Sequence, residues 1–413
     1  MRLLIIGTHP SQTTGYSKVV YNIAKELINY PQIKCSIFGI QKFNNVNDDY
    51  RLENLHSNVS IWDVYNFDSE DFGFGTKSLL NFICINDPDI IMIYNDAEVI
   101  KKYIMNIKLI KENYQYKYTI GKKNIKIVAY LDQVHKNQNP DTIKYIAENT
   151  QHVFCFTNSW KENYLSYFEK IVYDSYKNKT SVVRHGVDNI TCSFSSEQCK
   201  IMYGLPKDSF IFLNLNRFAV KKRLDISVIA FVNFLKITNT KKAYLYFPAI
   251  IDDKGEETLR NIYNYELKIN GLEDFENNLI IGNKPISDYD IYNIYNASDV
   301  GLNSCDGEGF GLCNYEHASL GKPQIISKIG GLLDYFNDEN SLLCETKYVS
   351  WSINNERSEV IDPVDMGNNM VKYFVKKSLY NKHSEKLKNI TSKYKWSYEL
   401  SNMFTVLLNL TKF

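Results

Sequence analysis

The 413-residue chain has little proline (9) and, beside its many lysines, little arginine. No run of about 18 apolar residues occurs, so the sequence offers no membrane-spanning helix. Only four consecutive apolar residues, 3–6, precede Gly7, too few for the apolar centre of a secretory leader. The eight cysteines are scattered and none forms a C-x-x-C pair, which argues against a zinc site and suggests reduced thiols in a cytosolic setting. Charge of one sign is also missing. A net charge of +1 leaves no whole-molecule attraction to nucleic acid. Solenoid-length repeats and low-complexity tracts are absent.

What is present is a soluble globular composition, 44% hydrophobic and 23% charged, in a chain long enough for two or three domains. Lysine, asparagine, isoleucine and tyrosine are favoured, and their A/T-rich codons point to an A/T-rich genome, cellular or viral. Against that background each arginine is informative, because lysine is the default cation.

Apolar runs alternate with amphipathic stretches. RLLII (2–6), CSIFGI (35–40), VSIWDV (59–64), DIIMIY (89–94), KIVAYL (126–131), HVFCFT (152–157) and TSVVRH (180–185) read as strands. Between the first two, Val19, Val20, Ile23, Ala24 and Leu27 form one helical stripe. A polar stretch (186–198) interrupts the rhythm, which restarts at SFIFLNL (209–215), KAYLYFPAI (242–250), NNLIIG (277–282), DVGLNS (299–304) and KPQIIS (322–327). The pattern predicts an α/β chain of two doubly wound halves with parallel sheets, followed by a helical tail.

Three loops concentrate the chemistry. In NSCDGEGFGLCNYE (303–316), Gly307, Gly309 and Gly311 surround Glu308 and Phe310, and a helix-compatible segment carrying Glu316 follows. Such a loop exposes bare amides at a helix start, suited to a ligand with hydroxyls and an anionic portion. The bland alternative is an ordinary glycine-rich turn. In LNRFAVKKRLD (215–225), Arg217 and Lys222 lie at the carboxyl end of the first strand of the second half, where doubly wound sheets bind ligands. In GTHPSQTTGYSK (7–18), Gly15 opens the first helix, without the Walker or dinucleotide glycine pattern. Asp132 and His135 lie just past another strand end; a histidine there is more often structural than catalytic. Finally, eight lysines against the single acid Glu112 between residues 101 and 126 read either as a solvated helical face or as a peripheral membrane contact.

Together these segments resemble the group 1 (family 4) retaining glycosyltransferases of GT-B fold. EGFGLCNYE resembles the family's pair of acids eight positions apart. NRFAVKKRLD resembles its arginine and lysine spaced by five, SVVRHGVD its mid-chain turn, and SKIGG its later glycine pair. The resemblance implies two Rossmann-like domains: an acceptor-side domain over 1–190, a donor domain over 200–390, and a helix over 391–413 returning to the first. It also implies roles. Arg217 and Lys222 neutralise a donor diphosphate, and Glu316 binds ribose. Glu308, Gly309 and the amides of Phe310, Gly311 and Leu312 hold the sugar, while Gly15 lets the first loop approach phosphate. Asp132 is the better match to a strand-end histidine of the family, and His135 the weaker.

No metal and no resident cofactor is expected. The implied substrates are a nucleotide sugar, with a uridine diphosphate sugar favoured and guanosine diphosphate mannose next, and a hydroxyl on a glycan, lipid or protein. A sugar phosphorylase or nucleotide-sugar epimerase on the same fold, or a non-catalytic carbohydrate-binding relative, are the alternatives. Departures from the family occur at Ser17, at FPAI (247–250) and at Asp334, and they bear on substrate choice.

Overall fold

A computed structural model describes residues 1–42, 50–68, 71–112, 124–188, 192–352 and 356–412. The chain divides into two units. The first comprises Met1–Gln133, Asn137–Gly186 and Trp396–Phe413, and the second Val134–Lys136 and Val187–Lys395.

In the first unit seven strands form one parallel sheet: β1 (Arg2–Thr8), β2 (Lys34–Ile40), β3 (Val59–Asp63), β4 (Ile90–Asp96), β5 (Lys126–Asp132), β6 (His152–Cys155) and β7 (Thr180–Val182). Their order is β3-β2-β1-β4-β5-β6-β7. Leu3, Leu4, Ile5 and Ile6 are all buried, as expected for a strand covered on both faces. Helix α1 (Gly15–Glu26) buries Val19, Val20, Ile23 and Ala24. Helix α2 (Trp396–Leu410) closes the unit: Phe404 packs on Tyr30 with ring centroids 4.4 Å apart, and Glu399 accepts from the Arg184 amide at 3.2 Å.

The second unit has a six-stranded parallel sheet of β8 (Phe210–Leu213), β9 (Ala243–Phe247), β10 (Leu279–Ile281), β11 (Val300–Asn303), β12 (Gln324–Ser327) and β13 (Leu342–Cys344). The order β10-β9-β8-β11-β12-β13 reverses direction between β8 and β11, which creates a crevice at their carboxyl ends. Phe212 pairs with Val300, and Gly301 with Gln324. Three elements escape the sequence pattern. Strand β13 is only three residues long, and β14 (Thr346–Trp351) with β15 (Arg357–Ile361) forms an antiparallel hairpin. Nearly all of β14 is exposed, so no apolar alternation marks it. Among the described residues no helix is long and apolar enough to cross a membrane.

Of the lysine-rich stretch, Lys117, Lys122 and Lys123 lie outside the described residues. Lys101 donates to Thr142 at 3.1 Å, Lys102 to Asp71 at 2.9 Å, and Lys108 lies 5.0 Å from the Tyr145 ring centre. These three are engaged locally.

Both units bury histidines in the neutral form. Burial lowers His185 and His317 to about 3 and His152 and His383 to about 4. Unfolded histidine takes up its proton near 6.5. Stability is therefore full above that pH and is lost as pH falls towards the folded values. The melting temperature is expected to decline between about pH 6.5 and 5, where carboxylates are still ionised. A melting temperature flat over that interval contradicts this.

Candidate active site

The glycine-rich loop of the second unit starts where β11 ends and leads into helix α3 (Leu312–Ser319). Gly311 sits at φ 87°, and a Cβ there would lie 2.3 Å from Leu332 Cδ2, so only glycine turns the chain into α3. No side chain caps the amide end of α3. The loop is held from behind by the SKIGG segment. The Gly331 amide donates to Glu308 O at 3.1 Å, and a Cβ on Gly331 would lie 1.9 Å from Gly309 O. Phe310 is buried against Tyr315 and Tyr335, so its ring anchors the loop while its backbone lines it.

Lys222 lies in the facing loop, after β8. Its Nζ donates to Glu308 Oε2 at 2.6 Å, and both side chains are nearly buried. Burial opposes the charge on each. The Glu308 carboxylate nevertheless holds Lys222 above the ordinary lysine value, and Lys222 holds Glu308 below the ordinary carboxylate value. Asn303 also donates to Glu308 Oε2 at 3.3 Å. Asn303 in turn donates to Asn314 at 2.9 Å, and Asn314 to Gln324 at 2.9 Å. This chain of amides runs through three elements and fixes the Glu308 carboxylate.

The two loops are stitched below the ion pair. Asn214 donates to Ser227 at 3.0 Å, Ser227 to Ser304 at 2.9 Å, and Ser304 to Arg223 O at 2.7 Å. Arg223 is left-handed at φ 45° and grips Asp225 through two bonds of 3.0 and 2.7 Å. Arg217 differs from Lys222. It is exposed, and no described residue bonds it. Its neighbour Phe218 packs on Gly255, where a Cβ would lie 2.7 Å from the ring, so the loop is anchored while the guanidinium faces solvent. Glu316 is buried in α3 and accepts from Tyr295 Oη at 3.0 Å.

In the first unit, Asp132 ends β5, is buried, and accepts from Tyr16 Oη at 2.5 Å. Gly15 opens α1, and a Cβ added to it meets nothing within 4 Å, so packing does not require glycine there. Its neighbour Thr14 caps the helix, its hydroxyl accepting from the Ser17 amide at 3.2 Å.

The structure thus brings Lys222 and Glu308 into contact, with Leu312 and Glu316 on the helix that follows. Arg217, earlier on the same loop as Lys222, is exposed and takes no part in that ion pair. Reading the sequence missed Asn303, Asn314, Gln324 and Gly255, and it marked Gly331 without its contact to the loop. For Gly331 the glycine pair was a visible signal. The amides leave no such mark.

A basic side chain and a glycine-flanked acid, paired at the point where strand order reverses, stand within the segment that matches a known family. Residues 196–361 match the family model of Glycosyl transferases group 1. The chain carries a group 1 glycosyltransferase domain. That segment includes Lys222, Glu308, Arg217, Glu316 and the amide chain described above. Similar solved structures span the whole chain. HepE of Anabaena, in complex with UDP and glucose, is 13% identical, with 99% of this chain and 100% of that one covered and a TM-score of 0.70. A glycosyltransferase from Rickettsia africae is 16% identical, covering 100% and 98%, with a TM-score of 0.68. Sucrose-phosphate synthase from Thermosynechococcus elongatus is 12% identical, covering 100% and 99%, with a TM-score of 0.70. These likenesses give the fold, which is GT-B. No curated protein sequence matches the chain.

Proposed function

We propose that this group 1 glycosyltransferase moves a hexose from a nucleoside diphosphate sugar to a hydroxyl on a glycan, lipid or protein, with retention of anomeric configuration and without a divalent metal. The observation that carries the reading is the buried Lys222–Glu308 pair beside the amide end of α3, which no side chain caps, with Arg217 exposed on the same loop as Lys222. A diphosphate entering there meets one solvent-facing guanidinium and one ammonium already held in place. Charge that builds on the leaving phosphate as the glycosidic bond breaks is neutralised by both.

Glu308 then accepts hydrogen bonds from the sugar hydroxyls, and the amides of Gly309, Phe310, Gly311 and Leu312 line the same side. Glu316 accepts from the ribose hydroxyls, sharing its carboxylate with Tyr295. The acceptor oxygen attacks C1 on the face from which the diphosphate departs. The C1–O bond to phosphate breaks, and the acceptor's proton passes to the departing phosphate oxygen. No side-chain nucleophile is needed. Asp132 is assigned a catalytic part from the first unit, and Gly15 the approach of the first loop to the donor phosphate. A uridine donor is favoured, in line with the UDP-glucose complex of the Anabaena relative.

Arg217→Ala is expected to lower turnover of a uridine diphosphate sugar by about 10- to 100-fold, the worth of charge-assisted hydrogen bonds to a phosphate. Stability should be unchanged, because no described residue depends on the guanidinium. Wild-type turnover in this variant defeats the assignment of Arg217 to the diphosphate.

A further inference from the structure

Two buried polar atoms beside the glycine-rich loop have no partner among the described residues: Asp306 Oδ1 and His135 Nδ1. Asp306 is 8% exposed and His135 is 9% exposed. His135 belongs to the short segment Val134–Lys136 that joins the second unit. Its ring lies directly over Gly307, where an added Cβ would sit 2.2 Å from Cε1 and 2.3 Å from Nδ1. Any side chain at position 307 would expel the imidazole. The first glycine of the loop therefore has a specific task, to make room for the imidazole next to Asp306.

Both groups are held in place. The Asp306 amide donates to Lys221 O at 3.0 Å, and Asp306 O accepts from the Glu359 amide at 3.0 Å. Ser358 hydrogen-bonds the Asp306 carboxylate. The segment carrying His135 is clamped by β15: Lys136 pairs with Arg357 across a bridge, and its ammonium lies 3.4 Å from Glu359. The titratable neighbours of Asp306 are His135 and Arg223, the latter already committed to Asp225. Burial holds the Asp306 carboxyl above its ordinary range, against the pull of His135 and Arg223.

Buried polar groups left unpaired cost about 1–3 kcal/mol each, and native proteins satisfy nearly all of them. The pair here presents one acceptor oxygen and one ring nitrogen that donates when protonated at Nδ1. A hydroxyl suits both kinds of atom, since it donates to a carboxylate oxygen and accepts from an imidazole N–H. An anion is repelled by the carboxylate, and a thiol or methyl group satisfies neither atom. Asp306 also stands two residues before Glu308.

We propose that Asp306 and His135 form a hydroxyl-recognition subsite for the transferred sugar and select which hexose is accepted. The inference rests on the donor reading given above. It goes beyond that reading by assigning sugar selectivity to a pair outside the acid and cation set.

The test is calorimetric binding of uridine diphosphate, uridine diphosphate glucose and its 2-, 3-, 4- and 6-deoxy forms to the full chain. Guanosine diphosphate mannose and its deoxy forms serve if the chain prefers that base. Sites built to hydrogen-bond a hydroxyl reject analogues lacking it, so wild type should lose about 10-fold or more in affinity for one deoxy form. In Asp306→Ala, and in the isosteric Asp306→Asn, that penalty should shrink to within about 2-fold while uridine diphosphate binds as in wild type. His135→Asn should weaken discrimination at the same hydroxyl.

An unchanged deoxy profile in Asp306→Asn with normal nucleotide binding overturns the proposal and assigns the two atoms to an ordered water. Equal binding of all deoxy forms by wild type has the same meaning. Absence of binding by every nucleotide and nucleotide sugar overturns the donor reading itself, and this inference with it.

Discussion

Lys222→Met in an otherwise unchanged chain is expected to destabilise the second unit by about 3–5 kcal/mol, because Glu308 is left charged and buried without its partner. At roughly 2–4 °C per kcal/mol for a unit of this size, the shift in melting temperature is large. Glu308→Leu alone should be comparably harmful, since it strands the ammonium. The double variant Lys222→Met with Glu308→Leu should recover most of the stability, as replacements of buried ion pairs by apolar groups commonly do. It should nonetheless transfer no sugar. That separation matters because a purely structural pair would be dispensable for transfer once stability was restored. The pair also has a pH signature. Glu308, held low, contributes fully above its unfolded value and loses its contribution as pH falls through the folded one. Lys222, held high, contributes below its unfolded value and loses it as pH rises through the folded one. A double variant that turns over donor at the wild-type rate would remove both residues from the mechanism.

Gly331→Ala is expected to reduce turnover by about 100-fold or more, the cost of displacing a reacting group by about an ångström. The reason is backbone meeting backbone. The new methyl would lie 1.9 Å from Gly309 O and 3.1 Å from Phe310 Cα, and neither atom can rotate away. The loop must therefore move, and Glu308, whose carbonyl accepts from the Gly331 amide, moves with it. Stability should fall by about 1–3 kcal/mol, as for other overpacked sites. Gly15→Ala is the informative contrast. Nothing lies within 4 Å of the added Cβ, and alanine in a helix favours folding by about 0.4–1 kcal/mol. Any loss of transfer in that variant reports on ligand approach. Turnover by Gly331→Ala within a few-fold of wild type would mean that the loop's position is unimportant.

The alternation of apolar runs with amphipathic stretches was enough to read most strands of both parallel sheets, because a strand buried on both faces must be apolar throughout. Strand β13 is too short to make a run, and β14 is too exposed to carry one. At the site, Glu308 and Lys222 stand out individually as a glycine-flanked acid and a strand-end cation. Their mutual ion pair is not visible in the sequence, since 86 positions separate them. The amide chain from Asn303 through Asn314 to Gln324 leaves no signal either, because asparagine is common throughout this chain. His135 is the clearest case. Read along the sequence, it is one histidine past a strand of the first unit. Only the fold puts its ring over Gly307 in the second.

The most direct measurement is calorimetric titration of the full chain with uridine, guanosine and adenosine diphosphates. One of the three should bind with an affinity that weakens with salt, and Arg217→Ala should lower that affinity about 10-fold or more. If none of the three binds, or if the one that binds is held equally well by Arg217→Ala and by the double variant at Lys222 and Glu308, the diphosphate is not gripped at the β8–β11 crevice.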